Sequence, residues 1–553
     1  MNKWTWKIAV IGAWLVIGAA TSMVHAQRAA PDLVLLNGKV ITVDDRFTIA
    51  EAIAVSKDRI VAVGANREIA QLAGPNTKKI DLKGKAVIPG IIENHAHFMR
   101  AGETWTQEVR LDGIESRKQA FEMLRARAKS VGPGEWVYTL GGWAHQQFAD
   151  DRKPFTREEL DQVAPNNPVL LQEAYYRLYL NTRAIQALGV DEMKPEAKWV
   201  GRDAAGKPTG VIEEAGVRLL ASKIPVHKDM FEASSLAMIK DLNRAGLTAL
   251  GNAGCDPAEL ETYRKWERQG QLHIRMYCIN SFAAATPEET DKILPQISQI
   301  RLFQGDTYLD DIAYGESVYA PIHDDMLAVK AEPRPDQLEQ WHRIATEVAK
   351  ARMPLHVHAT LDGSIDAFLN EIEQINKVYP VKNLRWAFAH LDQINESQLE
   401  RMKNLGMYAA VGSRPPEMGG IFHDLHGDRS YDMPPLKLIQ DSGIMWGFGS
   451  DATVVNQYRP FTILWWAVTG KMVGGMKVLR QPISREDALL AYTRKNAYLI
   501  FQENNLGSIQ PGKLADLAVL DRDYLTVPAD QIKDIKPVMT MVGGKIVYDA
   551  DAP

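Results

Sequence analysis

His95 and His97 stand one residue apart at the end of the apolar run Ala86-Val-Ile-Pro-Gly-Ile-Ile-Glu-Asn94. On a strand, side chains two apart share a face, so both imidazoles can enter one site, as metal ligands do. Such a pair also arises by chance among surface and core histidines. Three further residues shift the reading. His358 (Met-Pro-Leu-His-Val-His-Ala), His390 (Arg-Trp-Ala-Phe-Ala-His) and Asp451 (Trp-Gly-Phe-Gly-Ser-Asp) each close a short apolar run of the kind that forms buried parallel strands. Four histidines and one aspartate at strand ends suit Zn²⁺ or a similar divalent ion. Such an ion brings the pKa of a water it holds to about 7 and polarises a carbonyl. Asp451 is the residue expected to take that water's proton and return it to a leaving amine. The alternative for Asp451 is a helix N-cap. His356, one alternation before His358, is expected to support the ligands from behind, whereas His423 and His426 read as solvated loop residues.

Elements that would position these groups recur along the chain. Strand-like runs fall near residues 88–95, 248–252, 274–279, 312–319, 354–358, 385–390, 407–411 and 445–450, with helical segments between them. Eight strands alternating with helices imply an α/β fold, a (β/α)₈ TIM barrel, whose functional face lies at the strand C-termini. The stretch at about 98–240 is too long for one crossover and is expected to be a large insertion after barrel strand 1, covering the mouth of the site. Residues 32–88 and 507–553 hold short strands punctuated by Gly and Asp. Neither end has enough strands for a stable sheet alone, so the two are expected to pair into a composite β-sandwich, leaving residues 89–506 as the barrel.

The motifs resemble the amidohydrolase superfamily, and within it the amidohydrolase-3 or YtcJ-like group that includes N-substituted formamide deformylases. Pro89-Gly-Ile-Ile-Glu-Asn-His-Ala-His97 is similar to the family's PGxxDxHxH, with Glu93 where Asp is usual. Further matches are Thr156-Arg-Glu-Glu-Leu-Asp-Gln-Val-Ala-Pro165, Gly206-Lys-Pro-Thr-Gly-Val-Ile-Glu-Glu214, Gly449-Ser-Asp451 and Gly507-Ser-Ile-Gln-Pro-Gly-Lys-Leu-Ala-Asp-Leu517. The resemblance spans nearly the whole chain after residue 26. It implies metal-dependent hydrolysis of a non-peptide C–N bond, amide or formamide-like, in a small molecule. His358 and His390 would either ligate a second ion or orient substrate and water, and both are expected at a centre of one or two ions.

Departures from the pattern bear on the substrate and on the ion count. Many relatives carry a carboxylated lysine on the fourth strand as a bridge between two ions. Residues 308–319 contain no lysine, and Glu316 is the carboxylate placed to substitute for it. An ordinary exposed or salt-bridged glutamate is the competing reading. The family's Asp-Gly-His becomes Ala174-Tyr175-Tyr176, and its Gly-Trp-Asp becomes Gly142-Trp143-Ala144 followed by His145. Polar groups expected near the substrate are thereby lost. Tyr176, His145 and Arg414 are the substrate-contact candidates, set against purely structural roles.

The chain has 553 residues, 46% of them hydrophobic, enough for one large catalytic domain plus a satellite. A net charge of −5 without a basic stripe argues against nucleic acid as a partner. The start, Met1-Asn-Lys-Trp-Thr-Trp-Lys7 followed by an apolar run and Val24-His25-Ala26, fits a cleaved signal peptide over residues 1–26. A periplasmic or secreted protein is expected, with no stable membrane insertion after cleavage; an uncleaved anchor is the alternative, and homo-oligomers are possible. Cys255 and Cys278 are too few for a thiolate zinc cage, and their spacing gives no support for a bond between them. A deaminase, lactonase or dipeptidase on the same scaffold, or a non-catalytic exported binding or regulatory protein, remains open, because fold and metal set do not fix the substrate. Keeping all four histidines and Asp451 argues against a decayed site.

Overall fold

A computed structural model describes residues 30–280 and 282–552. The signal-peptide expectation therefore lies outside the described residues. Eight parallel strands form one sheet in sequence order: Ile91–Ala96, Leu247–Cys255, Arg275–Asn280, Leu309–Glu316, Leu355–Ala359, Ala387–His390, Tyr408–Gly412 and Trp446–Gly449. All eight are buried runs, as strands enclosed between a packed barrel interior and an outer ring of helices must be. The barrel closes between the eighth and first strands just past the ladder. Asp451 N–H donates to His95 O at 2.9 Å, and His97 N–H donates to Ala452 O at 3.1 Å. Asn496 ties the same seam from below, its Nδ2 donating to Ile92 O at 2.6 Å and Phe448 O at 2.8 Å. The seam itself thus holds the backbone on which His95, His97 and Asp451 are mounted.

Two packed sheets flank the barrel. One contains Arg59–Gly64, Ala52–Ser56, Leu33–Leu36 and Lys78–Asp81; the other interleaves Lys545–Asp549, Pro537–Val542 and Leu517–Leu520 with Ala86–Pro89, Lys39–Ile41 and Ile49–Ala50. Leu33, Leu35, Ile53, Val87, Leu517, Val519 and Met541 share the core between them. The β-prone stretch at residues 33–42 forms two strands, Leu33–Leu36 and Lys39–Ile41. Asn37, at φ 57°, turns the chain from one sheet to the other, a conformation that Asn tolerates better than most residues. Gly543 and Gly544, at φ 54° and 74°, make the tight turn of the last hairpin. Arg275 on the third barrel strand forms a bidentate pair with Asp516, both contacts 2.8 Å and both side chains buried, and so locks barrel to sandwich.

Between the first two barrel strands lies a further sheet, ordered Val200–Arg202, Pro208–Glu213, Arg177–Leu180, Val169–Glu173 and Val137–Leu140. Cys255, closing the second barrel strand, is disulfide-bonded to Cys278 on the third. Their separation of 23 residues carried no signal for this bond; it follows from parallel strand pairing, which sets Asn252 beside Cys278 and Cys255 beside Asn280. His423 and His426, read as loop residues, belong instead to the helix Pro415–His426, which the two prolines at its start allow to begin directly after Arg414.

Candidate metal centre

His95, His97, Glu316, His358, His390 and Asp451 converge at the C-terminal end of the barrel. The fourth strand ends on Glu316, three residues short of the expected Tyr319, and the chain beyond it passes into a 3-10 turn at Ala320–Ile322. Glu316 sits among four imidazoles. Its Oε2 is 3.0 Å from His95 Nε2, 3.4 Å from His390 Nε2 and 3.9 Å from His358 Nδ1, and its Oε1 is 3.4 Å from His97 Nε2. Two triads can each surround an ion: His95, His97 and Glu316, and Glu316, His358 and His390. Glu316 is common to both, which is where a bridging carboxylate belongs. Asp451 Oδ1 lies 3.1 Å from His97 Nε2 and 3.8 Å from His95 Nε2.

In three of the four imidazoles the second nitrogen is committed elsewhere, which fixes the nitrogen left for the centre. His97 Nδ1 faces the Ala253 carbonyl at 3.1 Å, leaving Nε2 free. His95 Nδ1 lies 2.9 Å from His356 Nε2, again leaving Nε2. His356 therefore backs His95 rather than His358. Burial, aided by the neighbouring His95, holds its pKa down to about 3, so it meets His95 as a neutral ring. His358 Nε2 faces Asp324 Oδ1 at 2.7 Å, leaving Nδ1 turned inward. His95 Nε2 and Glu316 Oε2 are buried without a well-directed hydrogen bond, and four neutral-capable imidazoles with two carboxylates form a hard-to-borderline donor set. These residues fit a divalent ion such as zinc.

The electrostatics without an ion show what such a charge would relieve. Burial would raise the Glu316 and Asp451 carboxyls, but nearby cations and donors hold both well below the usual carboxylate range: His95 for Glu316, Arg414 for Asp451. Burial opposes a charged His358, yet Asp324 and Glu316 push its pKa up to about 10. The cluster thus recruits protons to offset its carboxylates, the role a bound cation takes over. His390 and Asp451 have φ of 79° and 57°, left-handed values rare for these residues and common where function holds a strained backbone.

Arg414 is 1% exposed. It donates to Asp392 Oδ2 at 2.7 Å and to Asp451 Oδ2 at 2.8 Å, so its guanidinium is occupied by carboxylates of the protein. His145 is buried, its Nδ1 2.6 Å from Glu173 Oε1, and Glu173 also accepts from Tyr179 Oη at 2.6 Å. Tyr176 is half-buried under Arg177 and packs with Tyr175 on a cluster that includes Ala144, Met326, Met418 and Val454. The insertion is thereby seated on the segments that follow the fourth, seventh and eighth barrel strands. His97 is the most open of the four histidines, with 17% of its side chain exposed against 2% for His95 and His390 and 8% for His358. Glu93, in place of the usual Asp, accepts from the N–H groups of His95 and Ser450 at 3.1 and 2.8 Å and from Tyr492 Oη at 3.1 Å. Burial pushes its pKa up to about 7. Asp324 and Asp392 escaped the sequence reading, since each lies in a loop whose contacts depend on the fold; the only local sign was proximity to Glu316 and His390.

The profile of the amidohydrolase family matches residues 78–548. An N-substituted formamide deformylase of Arthrobacter pascens is 28% identical over 540 residues, covering 94% of this chain and 98% of that protein. The putative amidohydrolase YtcJ of Bacillus subtilis strain 168 is 24% identical over 535 residues, covering 93% and 98%. Among solved structures, an uncharacterized metal-dependent hydrolase from Pyrococcus horikoshii OT3 superposes with a TM-score of 0.63 at 22% identity, covering 90% of this chain and 99% of that one. The zinc complex of atrazine chlorohydrolase TrzN from Arthrobacter aurescens TC1 superposes with a TM-score of 0.53 at 15% identity, covering 94% and 96%.

Proposed function

The chain belongs to the amidohydrolase family, and on that premise we propose that it is an exported hydrolase opening a non-peptide C–N bond, an amide or formamide-like group, of a small molecule. One observation carries the reading: Glu316 lies within 3.0–3.9 Å of four imidazoles, with Asp451 beside them, at the open end of the barrel. His95, His97, His358, His390, Glu316 and Asp451 would hold one or two divalent ions, zinc foremost, with residues 89–506 as the catalytic unit. A divalent ion bound there supplies Lewis acidity, making water nucleophilic near neutral pH and polarising the substrate carbonyl.

The chain's own groups do the remaining work. Arg414 grips Asp451 Oδ2 and leaves Oδ1 facing the cluster, so Oδ1 is the atom that takes a proton from the attacking water. As the tetrahedral carbon collapses, the same oxygen returns that proton to the departing nitrogen, which leaves as a neutral amine. His390, whose Nε2 is 3.4 Å from Glu316 Oε2, would position the attacking water if it is not itself a ligand. Tyr176 and His145, both on the insertion, would be the substrate contacts, with Arg414 acting behind Asp451. The formamide or amide assignment draws on the deformylase of Arthrobacter pascens, matched over nearly its whole length.

Export is supported by the basic and apolar start of the chain and by the Cys255–Cys278 bond, since disulfides persist in oxidising compartments. Among the described residues no helix is long and apolar enough to cross a membrane. The test of activity is a screen of N-formyl, N-acyl and ureido compounds with the purified protein loaded with zinc. Release of amine from at least one class is expected, and its absence from all three would reject the reading. Export is tested by intact mass of protein from the host envelope: the expected chain starts at Gln27, and one starting at Met1 in the membrane fraction contradicts it.

A further inference from the structure

The loop between the fourth and fifth barrel strands places a carboxylate behind one metal-facing histidine. Asp324 is buried, 9% exposed, and each of its oxygens has a separate task. Oδ2 accepts the backbone N–H groups of Thr360 and Leu361 at 3.2 and 2.9 Å, pinning the turn that follows the fifth strand. Oδ1 lies 2.7 Å from His358 Nε2, and the Asp324 carbonyl oxygen lies 3.1 Å from the same nitrogen. His323 stacks on the His358 ring at 3.5 Å between centroids and blocks its rotation.

We propose that Asp324 is a positioning residue that fixes His358 in the tautomer protonated at Nε2, so that Nδ1 is its ligand atom and the ion shared by Glu316, His358 and His390 is held selectively. The inference rests on the metal reading above. A neutral imidazole has one N–H, and of the three oxygens that Nε2 faces, the Asp324 carboxylate at 2.7 Å and carbonyl at 3.1 Å can only receive it, while the more distant Thr360 hydroxyl at 3.2 Å can receive it too. The lone pair is thereby left on Nδ1, the nitrogen 3.9 Å from Glu316 Oε2. The other triad, His95, His97 and Glu316, is oriented by His356 and Ala253 instead. Asp324 therefore acts on one ion and not on its neighbour.

Asp324→Asn inverts the arrangement while keeping the shape. The two backbone N–H groups of Thr360 and Leu361 require the amide oxygen, which turns the amide NH₂ towards Nε2 and favours a proton on Nδ1, the ligand atom. Removing such a supporting contact weakens metal binding by roughly 10–100-fold. Chelator competition followed by metal analysis should show wild-type protein with two ions and the variant with one ion weakened by that factor and the other unchanged. Equal affinities for both ions in the two proteins, or equal weakening of both ions, would overturn the proposal. A wild-type protein that binds no divalent ion would instead overturn the metal reading beneath it. Should the variant fail to fold, a zinc-soaked crystal of the wild-type protein decides the same point. Coordination of His358 through Nδ1, with Nε2 on Asp324, supports the proposal, and coordination through Nε2 overturns it.

Discussion

Asp451→Asn removes one negative charge and one acceptor from the cluster without changing its shape. Arg414 Nη2 and Nε lie 2.8 and 3.2 Å from Asp451 Oδ2, and a guanidinium only donates, so the amide must turn its oxygen towards Arg414. Its NH₂ group then takes the place of Oδ1, 3.1 Å from His97 Nε2 and 3.8 Å from His95 Nε2. A donor now occupies the position where an acceptor must collect a proton from water. General acid–base catalysis contributes roughly 10²–10⁴-fold, equivalent to about 2.7–5.5 kcal/mol of barrier at 1.36 kcal/mol per tenfold. The expected result is a kcat lowered by that factor, with metal content near wild type because the five other ligands, the four imidazoles and Glu316, remain to hold it. Steady-state kinetics on whichever N-formyl, N-acyl or ureido compound is turned over, paired with metal analysis of the same sample, measures both. A kcat within a few-fold of wild type would refute proton transfer by Asp451 and leave it a structural role at the barrel seam, where its N–H already bonds to His95.

Arg414→Met leaves Asp392 and Asp451 buried without their shared cation, and breaking a buried pair costs about 3–5 kcal/mol. The thermal midpoint should fall and turnover should be lost together; a raised KM with an unchanged midpoint would return Arg414 to direct substrate contact. Replacing Cys255 and Cys278 with Ala opens a loop of 23 residues, which by loop entropy is worth about 3 kcal/mol. Unfolding of this double variant should match that of the wild-type protein under reducing conditions, and equal stability of oxidised wild type and variant would contradict a bond in solution.

The barrel was legible because its strands are short apolar runs that end on polar residues, and burial on both faces leaves such strands no other composition. Each run led to the residue that the structure brings to the centre: His95 and His97, His358, His390 and Asp451. Glu316 could be singled out by chemistry, as a carboxylate on a strand that lacks the family's lysine, although the strand's register was not readable. The contacts made by Arg414 were hidden, because Asp392 and Asp451 are 22 and 37 positions away and meet it only through the parallel order of strands six, seven and eight. His356 illustrates the same limit. Alternation placed it on the face of His358, but its partner is His95, 261 residues away across the barrel. The break at Asn37 has a local cause: a single left-handed residue divides an otherwise continuous β-prone run.

Metal stoichiometry, measured by elemental analysis of the wild-type protein and of Glu316→Gln after equilibration with zinc, tests the centre most directly. Glu316 is the group common to both triads, and its carboxylate would offset the concentrated positive charge of two ions. Two ions per chain are expected in the wild-type protein, falling to one or none in Glu316→Gln. A single ion in both proteins would contradict the bridge, and no ion in either would contradict the metal centre itself.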